Sequence, residues 1–67
     1  FEGSRALDAL KQLPDLYRDV LTLRYVESLS PKEIADIVDE SENAVSVRIH
    51  RGLKRLRALL EANPNMS

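Results

Sequence analysis

Leu29-Ser30-Pro31-Lys32-Glu33-Ile34-Ala35-Asp36-Ile37-Val38, followed by Asp39-Glu40-Ser41 and then by Glu42-Asn43-Ala44-Val45-Ser46-Val47-Arg48-Ile49-His50-Arg51, is the stretch that decides the fold. Ser30 can cap a helix, and Pro31 suits the first helical position because the N–H it lacks is not needed there. Glu33 follows Ser30 at the spacing of a capping box, reaching back to the cap amide. Ile34, Ala35, Ile37 and Val38 then give this short helix a buried side. Asp39-Glu40-Ser41 reads as a turn, with Ser41 capping a longer helix from about Glu42 to Glu61 that Asn63-Pro64-Asn65 stops. Along it Val45, Ile49, Leu53, Leu56 and Leu60 recur every three or four residues, one continuous core stripe. A short helix, a tight turn and a longer helix make a helix-turn-helix.

Upstream the periodicity is helical as well. A first helix is predicted from about Ser4 to Gln12, with Ser4 as its cap and Ala6, Leu7 and Leu10 as its stripe. Leu13-Pro14 breaks it, since the residue before proline is pushed out of the α region. Pro14 is expected at the first position of the next helix, with Asp15 in its first turn, where a negative charge suits the dipole. Leu16, Tyr17, Val20, Leu21 and Leu23 are its apolar positions, Arg24 an exposed break, and Tyr25 and Val26 resume the stripe before Ser28-Leu29 end it. Nothing alternates with period two over more than a few residues. The expected fold is therefore all-α: a small four-helix domain with a C-terminal helix-turn-helix and no wing. Its domain is expected over residues 7–62, between tails at 1–6 and 63–67. The chain opens on Phe1 rather than Met and is read as part of something larger, with 1–4 readable as a cloning remnant.

Composition narrows the function. A chain of 67 residues holds one domain that buries only ~60% of its unfolded surface. With no cysteine and the single His50, neither disulfides nor a zinc site can be built. No apolar run approaches the ~18 residues of a membrane span and no leader pattern opens the chain, so the expected location is the cytoplasm. The sequence has no nucleophile–base pair, evident carboxylate pair or glycine-rich phosphate loop. It therefore points to no enzyme, cofactor, metal or small-molecule substrate. The net charge of −1 conceals an asymmetry: residues 1–42 hold ten acids and five bases, while residues 43–67 hold five bases (Arg48, Arg51, Lys54, Arg55, Arg57) and only Glu61 as acid. The halves carry −5 and +4, with the positive charge on the second helix of the pair.

If Val45, Ile49 and Leu53 face the core, the outward side of the long helix holds Asn43, Ser46, Val47, His50, Arg51 and Lys54. Short side chains first and long cations later suit a helix lying in the major groove, close to the bases at its start and near phosphates further on. The start of the shorter helix offers amides to a phosphate, with Ser30 and Lys32 beside them.

Three blocks carry a family resemblance. Leu13-Pro14-Asp15-Leu16-Tyr17-Arg18-Asp19-Val20-Leu21-Thr22-Leu23-Arg24-Tyr25 resembles the start of region 4 of bacterial sigma factors, particularly the extracytoplasmic-function group. Leu29 to Ala35 resembles the first helix of that region's helix-turn-helix, and Val45 to Arg57 its recognition helix and basic tail. The likeness runs from about Leu7 to Leu60 without a gap. It implies recognition of the promoter −35 element in duplex DNA, attachment to RNA polymerase core through the β-subunit flap, and sequestration by an anti-sigma protein. On that basis Asn43, Ser46, Val47, His50 and Arg51 are expected to face base edges. Ser30, Lys32, Arg48, Lys54 and Arg55 are expected on phosphates, and Asp15, Leu16, Tyr17, Asp19 and Val20 on a protein partner.

The chain departs from the family pattern at Asp39, where glycine is usual, and at Asn43-Ala44, where the pair is usually Gly-Thr. It departs again at Ser46, where a cation is common, and at Val47, where serine is. Either a different sequence is read, with Val47 against a thymine methyl, or DNA is bound weakly. Two alternatives share these residues: a sigma-like module used mainly to bind protein, and a response-regulator-type helix-turn-helix output domain.

Overall fold

The computed structural model describes residues 3–62. Its elements are α1 (Gly3–Lys11), α2 (Asp15–Leu21), a π-helical turn (Thr22–Val26), α3 (Pro31–Val38) and α4 (Glu42–Ala62), with no strand among the described residues. The helix-turn-helix falls where the sequence puts it. The expected stop at Asn63-Pro64-Asn65 and the tail at 63–67 lie outside the described residues.

α1 begins at Gly3, inside the segment expected to be a tail, and places Ser4 within the helix rather than at its cap. Ala6, Ala9 and Leu10 are buried, whereas Leu7 is 45% exposed: the stripe runs through Ala9, which the sequence pattern passed over. Arg5 donates from Nη2 to the carbonyl of Leu60 at 3.0 Å, tying the start of the domain to the end of α4. Amides of Gln12 and Leu13 close the last turn on the carbonyls of Ala9 and Leu10. Pro14 stands just outside α2 with φ −55 and ψ 148, one residue earlier than expected, and its carbonyl takes the amides of Tyr17 and Arg18. Proline serves as well there, since a cap residue needs its carbonyl, not its N–H.

α2 runs without interruption into the π-helical turn, where the Glu27 amide reaches back five residues to the carbonyl of Thr22. Sequence periodicity did not foresee this turn. Tyr25 and Val26 are about half exposed and do not lie on the core stripe. Arg24, expected as an exposed break, is half-buried and donates from Nη1 to the Leu29 carbonyl at 3.0 Å. The segment ends on Ser28 at φ 61, and the Leu29 amide bonds the Leu23 carbonyl.

α3 starts on the predicted capping box: Ser30 Oγ accepts from the Glu33 amide at 3.2 Å, and Glu33 Oε1 accepts from the Ser30 amide at 2.9 Å. Ile34 and Ala35 are buried and Val38 half-buried, but Ile37 is 59% exposed, because it sits too far round the short helix to reach α4. α3 ends on Asp39 in the left-handed conformation, φ 58 and ψ 48, and Ser41 Oγ then caps α4 by accepting the Ala44 amide at 3.0 Å.

α4 is the spine: α1, α2 and α3 all pack on it. Val45, Ile49, Gly52 and Leu56 form its buried line, with Leu53 and Leu60 half-buried at the edge. They meet Leu10, Leu13, Val20, Leu21, Ile34 and Ala35 in one core. Gly52 marks the tightest approach to α2: a Cβ there would lie 3.2 Å from Leu21 Cδ1 and 3.3 Å from Tyr17 Cβ.

Candidate nucleic-acid interface

The buried line of α4 fixes what its other side presents. Asn43, Ser46, Val47, His50, Arg51 and Lys54 are all exposed, as a helical period requires of residues out of phase with Val45, Ile49, Gly52 and Leu56. The structure thus gathers the expected base-facing residues on one outer arc and puts Lys54 at its far end. Val47 is 40% exposed, an apolar patch among polar neighbours and the right kind of surface for a thymine methyl. Three turns hold this arc in place: the capping box of α3, the left-handed Asp39 and the Ser41 cap.

The expected phosphate contacts are less uniform. Lys32, Lys54 and Arg55 are exposed. Arg55 also lies over the ring of Tyr17, 5.0 Å from its centroid, so α2 steers this cation. Arg48 is only 19% exposed, and its Nη2 sits 3.5 Å from Glu40 Oε2. Among the described residues it is the one base of α4 in an ion pair. Ser30 has its amide and its Oγ lone pair committed to Glu33, which leaves the hydroxyl hydrogen for a phosphate. At the helix start the amides of Ser30 and Glu33 are thus already taken within the chain. Those two hydrogen bonds, from the Ser30 amide first and then with its side chain, hold the Glu33 carboxyl below the ordinary glutamate range.

The α2 surface expected to meet protein needs one correction. Val20 is wholly buried and faces the core, as its spacing from Tyr17 and Leu21 dictates, so it cannot touch a partner. Leu16 is 52% exposed and Tyr17 half-buried. Asp15 and Asp19 are exposed but share Arg18, at 2.6 Å and 3.8 Å, so the acidic patch is partly neutralised from within. Leu16 and Tyr17 also line a shallow groove with Ala44, Val47, Arg48 and Arg51, which makes the α2 surface continuous with the outer arc of α4.

Sequence reasoning missed Glu40. Helix-pair rules connect residues three or four apart on one helix, whereas Glu40 lies in the turn and reaches Arg48 across the start of α4.

The sequence profile of the family described as sigma-70, region 4 matches residues 4–56. RNA polymerase sigma factor SigV of Bacillus subtilis is 42% identical over 53 residues, covering 79% of this chain and 32% of that protein. ECF RNA polymerase sigma factor SigW of the same organism is 45% identical over 49 residues, 73% of this chain and 26% of that protein. RNA polymerase sigma factor FliA of Salmonella typhimurium is 41% identical over 56 residues, 84% and 23% respectively. The chain spans under a third of the length of each. No solved structure matches.

Proposed function

Because the chain belongs to the sigma-70 region 4 family, we propose that it recognises the promoter −35 element in duplex DNA and links it to RNA polymerase for transcription initiation. The observation that carries this is the outer arc of α4, an exposed helix face of small and polar residues with cations beyond them. Asn43, Ser46, Val47, His50 and Arg51 face base edges, while Lys32, Lys54 and Arg55 neutralise phosphates, with Arg48 in reserve and Ser30 limited to a single hydroxyl donor. The domain works in the cytoplasm beside the polymerase; no helix among the described residues is long and apolar enough to cross a membrane.

The test is a gel-shift titration with promoter duplexes. Arg51→Ala weakens the preferred duplex by roughly 1–3 kcal/mol and relaxes base preference, whereas Lys54→Ala weakens all sequences alike. If both variants bind as the parent does, the groove-facing assignment is wrong.

Asp15, Leu16, Tyr17 and Asp19 supply the second surface, on which the polymerase core (its β-subunit flap) or an anti-sigma protein docks. Leu16→Ala, which trims the exposed apolar side chain without adding a charge beside Arg48 and Arg51, is expected to lower capture by core polymerase more than it lowers DNA affinity. The reading as a mainly protein-binding module draws its support from Arg48, whose charge is turned inward. Polymerase capture with no duplex binding at low salt would favour it.

A further inference from the structure

Resting on the DNA-binding function just proposed, we propose that Glu40 sets the affinity of this domain for DNA by holding Arg48 in an ion pair that phosphate must break. Arg48 is the first base on α4, ahead of Arg51 and Lys54, in the N-terminal part of the helix that a helix-turn-helix turns toward the duplex. Its guanidinium is 3.5 Å from Glu40 Oε2, its side chain is only 19% exposed, and it lines the groove between α2 and α4 together with Leu16, Tyr17, Ala44, Val47 and Arg51.

Glu40 is well fixed to do this. Its amide bonds the Ala35 carbonyl at 3.1 Å, the left-handed Asp39 precedes it and the Ser41 cap follows, so the backbone that aims the carboxylate cannot swing away cheaply. The carboxylate itself remains 44% exposed, near enough to solvent for a phosphate to compete. An exposed or half-exposed pair of this kind is weak, so exchange of carboxylate for phosphate is within reach of DNA binding. The exchange would leave Glu40 beside the phosphate as an uncompensated like charge, which opposes it, so in the parent Arg48 stays largely with Glu40. Glu40 is therefore a positioning residue that acts through Arg48 and keeps the domain a weak binder for its number of bases.

The test is a double-mutant cycle read by fluorescence titration of a random-sequence duplex at several salt concentrations, with the parent, Glu40→Gln, Arg48→Gln and the double variant. Glu40→Gln is expected to bind roughly three- to tenfold more tightly and to steepen the log–log salt slope by up to about 0.9, one more neutralised phosphate. Arg48→Gln alone is expected to bind no more tightly than the parent, and in the double variant the gain disappears. A gain that persists in the double variant overturns the proposal, because Glu40 then acts as a distant charge and not through Arg48. An affinity unchanged or lowered by Glu40→Gln overturns it too, with a fall in melting temperature marking a structural role. If the parent binds and only the coupling is missing, the proposed function stands without the exchange. If none of the four binds any duplex, both fail.

Discussion

Asp39 holds φ 58 and ψ 48, a conformation that costs most L-residues about 1–2 kcal/mol and glycine nothing. Asp39→Gly is expected to raise stability by about 0.5–1 kcal/mol in denaturant unfolding, since it removes that cost together with a negative charge at the C-terminus of α3. Glu33 gives a pH signature. Its carboxyl is held below its ordinary value by Ser30, so the folded state keeps it ionised. The stability this contributes is complete above the unfolded value of about 4.3 and is lost as pH falls through the lower folded value. The difference in melting temperature between the parent and Glu33→Gln should therefore be largest near neutral pH and should close as pH falls from the unfolded value through the lower folded one. Ser30, Pro31, Glu33 and Ser41 were legible in the sequence because capping is local, decided within three or four residues. The Glu40–Arg48 pair was not, since it depends on how a turn folds back over the helix that follows.

At the scale of elements, the helices and their order follow from apolar spacing, and the boundaries moved by a residue at α1 and α2. The π-helical turn escaped because one extra residue in a turn leaves no mark in composition: Thr22 to Val26 contain neither glycine nor proline. Ile37 escaped for another reason, since a short helix packed on one neighbour buries fewer positions than its apolar residues suggest. The contact between α2 and α4 provides a test of packing. Gly52→Ala gains up to about 1 kcal/mol of helix propensity, but the new methyl meets Tyr17 Cβ at 3.3 Å, an atom fixed to the α2 backbone. Overpacking of this kind costs about 1–3 kcal/mol, so the variant is expected to unfold at a lower temperature with a net loss of about 1 kcal/mol.

The whole molecule carries −1, and the affinity it can have for DNA depends on where its charges lie, not on their sum. With Lys32, Lys54 and Arg55 on phosphates and Arg48 turned toward Glu40, the expected log–log salt slope is about −3. A slope near zero in a titration from low to moderate salt would remove the phosphate contacts altogether. The outer arc of α4 was the part of the site best read from sequence, because the same periodicity that buries Val45 and Ile49 exposes Asn43, Val47 and Lys54. The molecule is 36 Å long, and α4 with its 21 residues accounts for nearly all of that length. Gly52 therefore acts as a fulcrum near the middle of a lever. Asn43 stands about 14 Å up the helix from it, so a tilt of only ~5° at the fulcrum swings that tip by roughly 1 Å. A substitution no larger than one methyl at Gly52, made on the core side of α4, is thus expected to shift the proposed base-facing residues on the opposite side.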